Sequence, residues 1–317
     1  MRREPPASGK DSVQRRTEQR PGPPKVGVVI LNYNGKALAE RCVQSLIDSR
    51  YPGLEIILVD NASTDGSAAY LQGLFPGVSI LECPKNLGIT GGRNRGLREA
   101  VARRCDYVLS LDNDAYIDAR LIDELLAVAE ADVRVGVVGP KVYLDDGSGR
   151  LQCAGGRITY TQNVSSERGV GEADRGQYDK VEAVDYFPGF GLMARGEVFE
   201  RLDFLDDRLS GWGHDDTDFC LRAAQAGYRV VYVPRAVMWH RGSATIGVYT
   251  PEKKYLEAIN SVYLVRKHGT FGNRVKYAFF AGVGLIYALV VQTPRGNHRA
   301  VFAKARGMWA GLRKPIT

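Results

Sequence analysis

The sequence predicts an α/β protein: a mostly parallel, mixed sheet flanked by helices, followed by a helical, basic C-terminal extension. Three observations carry this. Apolar runs of strand length alternate with helical patterns from Val26 to Leu111, which implies a sheet covered on both faces. Several of those runs end abruptly in polar or acidic residues, at Asn32, Asp60 and Asp112. The composition then changes near the end, where no Asp or Glu follows Glu257 but ten Lys and Arg do.

The expected elements follow in order. Residues 1–24 are rich in Arg, Pro and Gly, lack periodicity and read as a disordered tail. Val26–Asn32 is an apolar run that suits a central parallel strand. A helix over about Lys36–Ser49 places Leu38, Cys42 and Leu46 on one face. Glu55–Asp60 is a second buried strand, and Ser63-Thr64-Asp65-Gly66 turns the chain into a helix near Ser67–Leu74. Val78–Leu81 is a short third strand. Asn86–Gly96 opens a helix running to about Ala102, and its Gly91-Gly92 pair suits either a docked phosphate or close helix–strand packing. The fourth strand, Tyr107–Leu111, runs into Asp112-Asn113-Asp114. An extended chain points residues two apart the same way, so Asp112 and Asp114 share a side. Two such carboxylates suit a hard divalent cation, although Asp-Asn-Asp also favours a plain turn.

From Val135 to about Ala194 the pattern changes to short strands and Gly-rich loops, with 161–180 as a polar, mobile loop. Phe187 and Phe190 flank a tight Pro-Gly passage, facing either a sugar or the core. A second acidic cluster, Trp212-Gly213-His214-Asp215-Asp216-Thr217-Asp218, opens a helix ending at Gly227. Three acids in four residues exceed what capping uses, and a carboxylate beside Trp212 suits a general base. Tyr228–Pro234 is a further strand, after which comes His240.

Composition is that of a globular protein, 44% hydrophobic and 25% charged, with a net charge of +7. The first 257 positions hold 33 basic against 36 acidic residues, so the positive charge belongs to the C-terminal part. Such asymmetry suits an anionic surface. Apolar runs interleave with the charge and no nucleic-acid motif is present, so a membrane leaflet is expected as partner and nucleic acid is not. The five cysteines lack metal-ligand spacing and read as reduced thiols. The N-terminus shows no signal-peptide pattern, which places the expected protein on the cytoplasmic side, peripherally held at the inner face of the membrane. The apolar run Tyr277–Val291 is shorter than the roughly 20 residues a spanning helix needs. Core helix, interfacial or re-entrant segment, and tilted span all compete for it, with interfacial attachment favoured by the basic flanks Arg274, Lys276, Arg295 and Arg299. There is no G-x-G-x-x-G after the first strand and no Walker loop.

With these motifs in order, the chain resembles family 2 inverting glycosyltransferases of the GT-A fold, most closely bacterial rhamnosyl- and galactofuranosyltransferase-like members. The resemblance runs from about Val26 to Val265. It rests on Val28–Asn34, Val59-Asp60-Asn61-Ala62-Ser63-Thr64-Asp65-Gly66-Ser67, the Asn86–Gly96 segment and Leu111-Asp112-Asn113-Asp114. Asp215-Asp216-x-Asp218-Phe219-x-Leu221-Arg222 and Val231–Pro234 with His240 complete it. It implies a catalytic domain over 25–268 and a membrane-associating extension over 269–317. It further implies that Asn32 and Tyr33 line a nucleotide pocket, Asp60 binds the base, Asn94 holds the sugar diphosphate and Asp112 lies near ribose and metal. Asp114 and His240 would ligate Mn²⁺ or Mg²⁺, and Asp216, with Asp215 beside it, would be the catalytic base. Trp212 and His214 would meet the acceptor. The family's usual Glu-Asp pair is Asp215-Asp216 here, one methylene shorter, and His214 replaces a common aromatic.

The implied activity is transfer of a sugar from a nucleotide-sugar donor to a glycan or lipid-linked saccharide acceptor, in cell-surface polysaccharide or glycolipid synthesis. The competing readings are a processive polysaccharide synthase and a catalytically silent nucleotide-sugar or glycolipid binder. The first lacks long membrane spans. The second does not account for Asp112, Asp114, Asp216 and His240 together.

Overall fold

The computed structural model describes residues 22–209, 211, 213–242 and 250–316. Most of the expected tail, residues 1–21, lies outside these, as does Trp212. The strands are β1 (Val26–Asn32), β2 (Leu54–Asp60), β3 (Ser79–Glu82), β4 (Tyr107–Asp112), β5 (Ala115–Ile117) and β6 (Val135–Leu144). They continue with β7 (Leu151–Cys153), β8 (Gly156–Ile158), β9 (Ser165–Glu167), β10 (Glu182–Ala183), β11 (Gly191–Arg195) and β12 (Arg229–His240). The helices are α1 (Lys36–Asp48), α2 (Ser67–Leu74), α3 (Gly88–Ala102), α4 (Leu121–Ala131) and α5 (Gly196–Arg201). After them come α6 (Asp215–Gln225), α7 (Pro251–His268), α8 (Phe271–Tyr287) and α9 (His298–Arg313).

One sheet runs β10-β12-β6-β11-β4-β1-β2-β3, with β5 on β12 and β7 on β6. The half built of β3, β2, β1 and β4 is parallel, and β11 is antiparallel to both β4 and β6. The register pairs Asn32 with Asp60 and Leu31 with Asp112, so the polar strand ends form one row along the carboxyl edge. Ligands of open α/β sheets bind beyond that edge.

The glycines of α3 answer the question their sequence left open. A Cβ on Gly92 would meet Leu31 at 2.5 Å, and one on Gly96 would meet Val29 at 2.3 Å. These glycines let α3 press onto β1, which is the packing reading.

The sequence ends this strand at Pro234, but β12 runs on to His240. Pairing with β6 holds from Val230 to Val233 and resumes at Val237 after a register shift. Pro234 falls in this irregular stretch, where its missing N–H costs no ladder bond. The strand beyond the bulge pairs antiparallel with β5 and carries His240 back to the end of β4.

The C-terminal helices share a core with α7, in which Val262, Tyr263 and Leu264 pack with Tyr277, Ala281, Val164 and Leu209. α9 lies along α7 because its own glycines permit it. A Cβ on Gly307 would meet the Tyr255 carbonyl oxygen at 2.4 Å, and one on Gly311 would meet Val262 at 2.7 Å. The helical stretch Phe271–Arg313 is apolar and long enough, by composition and length, to cross a membrane. It is broken at Gly296, whose φ is 82°. α8 buries only Tyr277, Ala281 and Gly284, a narrow stripe. That disfavours the core-helix reading of this segment.

Candidate active site

A cleft of about 700 Å³ opens at the carboxyl edge of the sheet, walled by the ends of β4 and β12, the start of α3, the 188–190 passage and the start of α6. Its centre is the acidic end of β4. The β5–β12 pairing sets His240 opposite Ala115, next to Asp114 in the chain. His240 Nε2 comes 3.0 Å from Asp114 Oδ1 and 3.9 Å from Asp112 Oδ2. One ligand atom from each of the three residues lies within 4.8 Å of the other two.

The surroundings of His240 fit this donor set to a divalent cation. Gln152 Oε1 is 3.1 Å from Nδ1 and accepts a hydrogen bond from it, which leaves Nε2 to face the carboxylates. Phe190 stacks on the imidazole at 4.3 Å between centroids and fixes the ring. Burial lowers the imidazole pKa, but the hydrogen bond and charge of Asp114 outweigh it and the net shift is upward. Two carboxylates beside an imidazole whose proton they help to hold also have the charge to attract a cation.

The second centre is the start of α6. Asp215 is buried, accepts a hydrogen bond from Thr90 Oγ1 at 3.1 Å and lies 3.7 Å from Arg93. Burial and the neighbouring Asp216 push its carboxyl pKa up, against the pull of Arg93. Asp216 occupies the cleft wall, where its Oδ2 accepts from the Gly189 amide at 3.0 Å. The third acid of the cluster points elsewhere. Asp218 is fully buried and paired with Arg222, Lys267 and His268 at 2.6–2.7 Å, so it ties α6 to α7.

Arg93 joins the two centres. It is buried and donates to Asp112 Oδ1 at 2.6 Å while also facing Asp215. Burial opposes its charge, but Asp112 and Asp215 together hold the pKa above the usual arginine value. Gly189 makes room for it, since a Cβ there would stand 2.4 Å from the guanidinium. The sequence reading assigns Arg93 no role; the signal was its place one turn into a glycine-rich helix start. Glu167 was missed as well. It sits on β9 within the stretch read as a polar loop, lines the cleft, and is pushed up to about 7 by burial and by Asp216.

Other expected site residues are placed differently. Tyr33 lines the cleft, but Asn32 and Asp60 lie buried beneath it. Their side chains satisfy each other at 3.2 Å, with Asn113 donating to Asn32 and the Ser63 amide to Asp60. Asn94 also stands away from the cleft. Its amide is spent on Leu205 and Asp207, because α3 turns that face toward the 205–209 segment. His214 lines a separate cavity, where its Nε2 is 3.0 Å from Ser261 Oγ and burial holds its pKa down at about 4. Phe187 is core, whereas Phe190 faces the cleft.

Known proteins place this geometry. The chain is 26% identical over 245 residues to the N-acetylglucosaminyl-diphospho-decaprenol L-rhamnosyltransferase of Mycobacterium tuberculosis, covering 69% of this chain and 77% of that one. It is also 26% identical over 249 residues to the uncharacterised protein y4gI of Sinorhizobium fredii, covering 74% of this chain but only 26% of that longer one. Among solved structures, the mannosyltransferase PcManGT from Pyrobaculum calidifontis in complex with GDP-Man and Mn²⁺ superposes with a TM-score of 0.57 at 18% identity. That match covers 96% of this chain and 92% of that one. S. aureus TarS 1-349 in complex with UDP gives a TM-score of 0.54 at 16% identity, over 81% and 70%. The fold is GT-A, residues 27–196 match the model of Glycosyl transferase family 2, and the chain belongs to that family.

Proposed function

We propose that this glycosyltransferase moves one sugar from a nucleotide-diphosphate donor to a hydroxyl of a lipid-linked saccharide, with inversion at the anomeric carbon. The observation that carries the reading is one cleft in which Asp216 faces a cation-competent cluster of Asp112, Asp114 and His240. The rhamnosyltransferase relative, by its name, acts on a diphospho-decaprenol saccharide, which supports this acceptor class.

Asp216 acts as the base. One oxygen is held by the Gly189 amide, so the carboxylate is oriented before an acceptor arrives. As the acceptor oxygen attacks the anomeric carbon, its proton passes to Asp216 and the bond to the nucleoside diphosphate breaks. A positioned base contributes about 10²–10⁴-fold. Asp215 is too enclosed by Thr90 and Arg93 to serve; it holds Arg93 and the start of α6 in place. Asp112, Asp114 and His240 would hold Mn²⁺ or Mg²⁺, which would supply positive charge against the departing diphosphate. Tyr33 and Asn61 line the donor side, while Asn32 and Asp60 brace the floor beneath.

Attachment to an anionic membrane surface fits the C-terminal helices. Val275, Phe279, Val283, Ile286 and Val290 are exposed at helical spacing along one outward face. The basic residues around them match an anionic leaflet.

The test is a donor screen by thermal stabilisation, offering UDP-, dTDP- and GDP-sugars with Mn²⁺ or Mg²⁺. One donor is expected to stabilise the protein, and chelator or Asp114→Ala to abolish the effect. Saturating donor at a hundred times its Kd adds about 2.7 kcal/mol. A protein indifferent to every donor, with and without vesicles, refutes the reading.

A further inference from the structure

The cleft has a neighbour. A second cavity of about 300 Å³ lies where α7, α8 and α9 meet the 162–163 turn and Gly213–His214. Among the described residues, two lysines line it, Lys254 from α7 and Lys304 from α9, against one carboxylate, Glu257. Lys254 is paired with Glu257 at 2.7 Å. Burial, and then the nearby Lys254, lower the pKa of Lys304. His214 adds no charge near neutrality, since burial holds it at about 4. The cavity therefore holds two ammonium groups and one carboxylate. An unbalanced cation in a confined space is costly until an anion joins it. The remaining polar lining suits such an anion, because the Ser261 hydroxyl and Tyr277 open onto the same space.

We propose that this cavity receives the phosphate of the acceptor lipid, holding it between Lys254 and Lys304. The source of the phosphate follows from what surrounds the cavity. Tyr277 and Ala281 of α8 form one wall, and the same helix turns Phe279, Val283 and Ile286 outward. Gly213 lines both this cavity and the cleft, two residues before Asp215. A phosphate bound here directs its apolar chain toward the exposed face of α8 and its sugar past Gly213 toward Asp216. The residue at 213 is small, its φ is 95°, and a Cβ there would meet no neighbour among the described residues. The inference rests on the transferase reading of the cleft and adds a place for the acceptor.

The experiment uses the full chain and three kinds of vesicle: phosphatidylcholine alone, phosphatidylcholine doped with a polyprenyl monophosphate, and phosphatidylcholine with phosphatidylglycerol at equal surface charge. Inorganic phosphate is titrated separately. The wild-type protein is expected to prefer the polyprenyl phosphate surface over phosphatidylglycerol. Lys304→Gln should lower binding to the polyprenyl phosphate surface by about tenfold, the loss of one charge-assisted contact. Binding to phosphatidylglycerol should stay unchanged, and Lys304→Arg should keep the preference. Equal binding to both anionic surfaces, or a Lys304→Gln protein indistinguishable from wild type, overturns the proposal. Saturable binding of inorganic phosphate without any vesicle preference also overturns it, in favour of a free-anion site. Donor stabilisation, measured on the same samples, separates the two levels. Its absence from the wild-type protein removes the transferase reading, while the vesicle comparison still judges the cavity.

Discussion

The guanidinium of Arg93 stands 2.6 Å from Asp112 and 3.7 Å from Asp215, bridging two carboxylates that line the same cleft. Asp112 ends β4 and Asp215 begins α6, so Arg93 couples the cation-competent cluster to the base-bearing helix. Its Nε has no hydrogen-bond partner among the described residues although it is buried. The side chain is held by charge more than by complete hydrogen bonding, which is a costly arrangement to keep for stability alone.

Replacing Arg93 with Met leaves Asp215 buried without its cation. Breaking a buried pair from one side costs about 3–5 kcal/mol, and the half-open position of Asp112 places the expected loss toward the lower end. Thermal denaturation should show a marked fall in Tm. Arg93→Met combined with Asp215→Asn should recover part of it, because the stranded charge is then gone. No recovery in the double variant would mean that the two residues do not interact.

Asp216→Asn and Asp215→Asn should differ in kind. Asp216→Asn is expected to retain donor binding and the wild-type Tm while losing about 10²–10⁴-fold in turnover. Asp215→Asn should leave more activity but alter stability, since its carboxylate is enclosed by Thr90 and Arg93. Steady-state kinetics alongside melting curves make the comparison. Normal turnover in Asp216→Asn would transfer the role of base to another carboxylate.

The parallel half of the sheet was legible because β1, β2 and β4 are nearly uninterrupted apolar runs with a polar stop, a pattern set by burial on both faces. Asp112, Asp114 and Asp216 were legible because paired acids at a strand end or helix start exceed what turns and caps use. The continuity of β12 was not, since Pro234 reads locally as a strand end while its tolerance depends on the bulge against β6. Asn94 and Asp60 show a different limit. Their motif positions are clear, but whether a polar side chain faces a cleft or a neighbouring segment is decided by helix rotation and strand register. Glu167 was invisible for the same reason. Its polar, strandless surroundings in sequence become a cleft wall only when β9 folds against β8.

Metal dependence has its own signature. His240→Ala and Asp114→Ala should each abolish stabilisation by Mn²⁺ and by donor plus Mn²⁺. Gln152→Ala, which frees the imidazole Nδ1, should weaken metal affinity about 10–100-fold without abolishing it. Titration of Mn²⁺ into chelator-treated protein, followed by calorimetry, gives all three values. Undiminished affinity in His240→Ala would show that the carboxylates bind metal without the histidine.

Glu167 predicts a pH effect whose sign is fixed by its environment. Its carboxyl is raised to about 7, by burial first and then by Asp216, against a pull downward from His240. A carboxyl raised on folding binds protons more tightly in the folded state. Its protonation therefore favours the fold below the folded pKa, and that contribution is lost as pH climbs from the unfolded value toward about 7. With chelator present, so that no cation competes for the same charge, the wild-type protein should lose stability between about pH 5 and pH 8. Glu167→Gln removes the titration and keeps the shape. That variant should melt higher than wild type at pH 8 and nearly with it at pH 5. Parallel pH profiles for the two proteins would mean that Glu167 is solvated and that the carboxylate of Asp216 does not reach it.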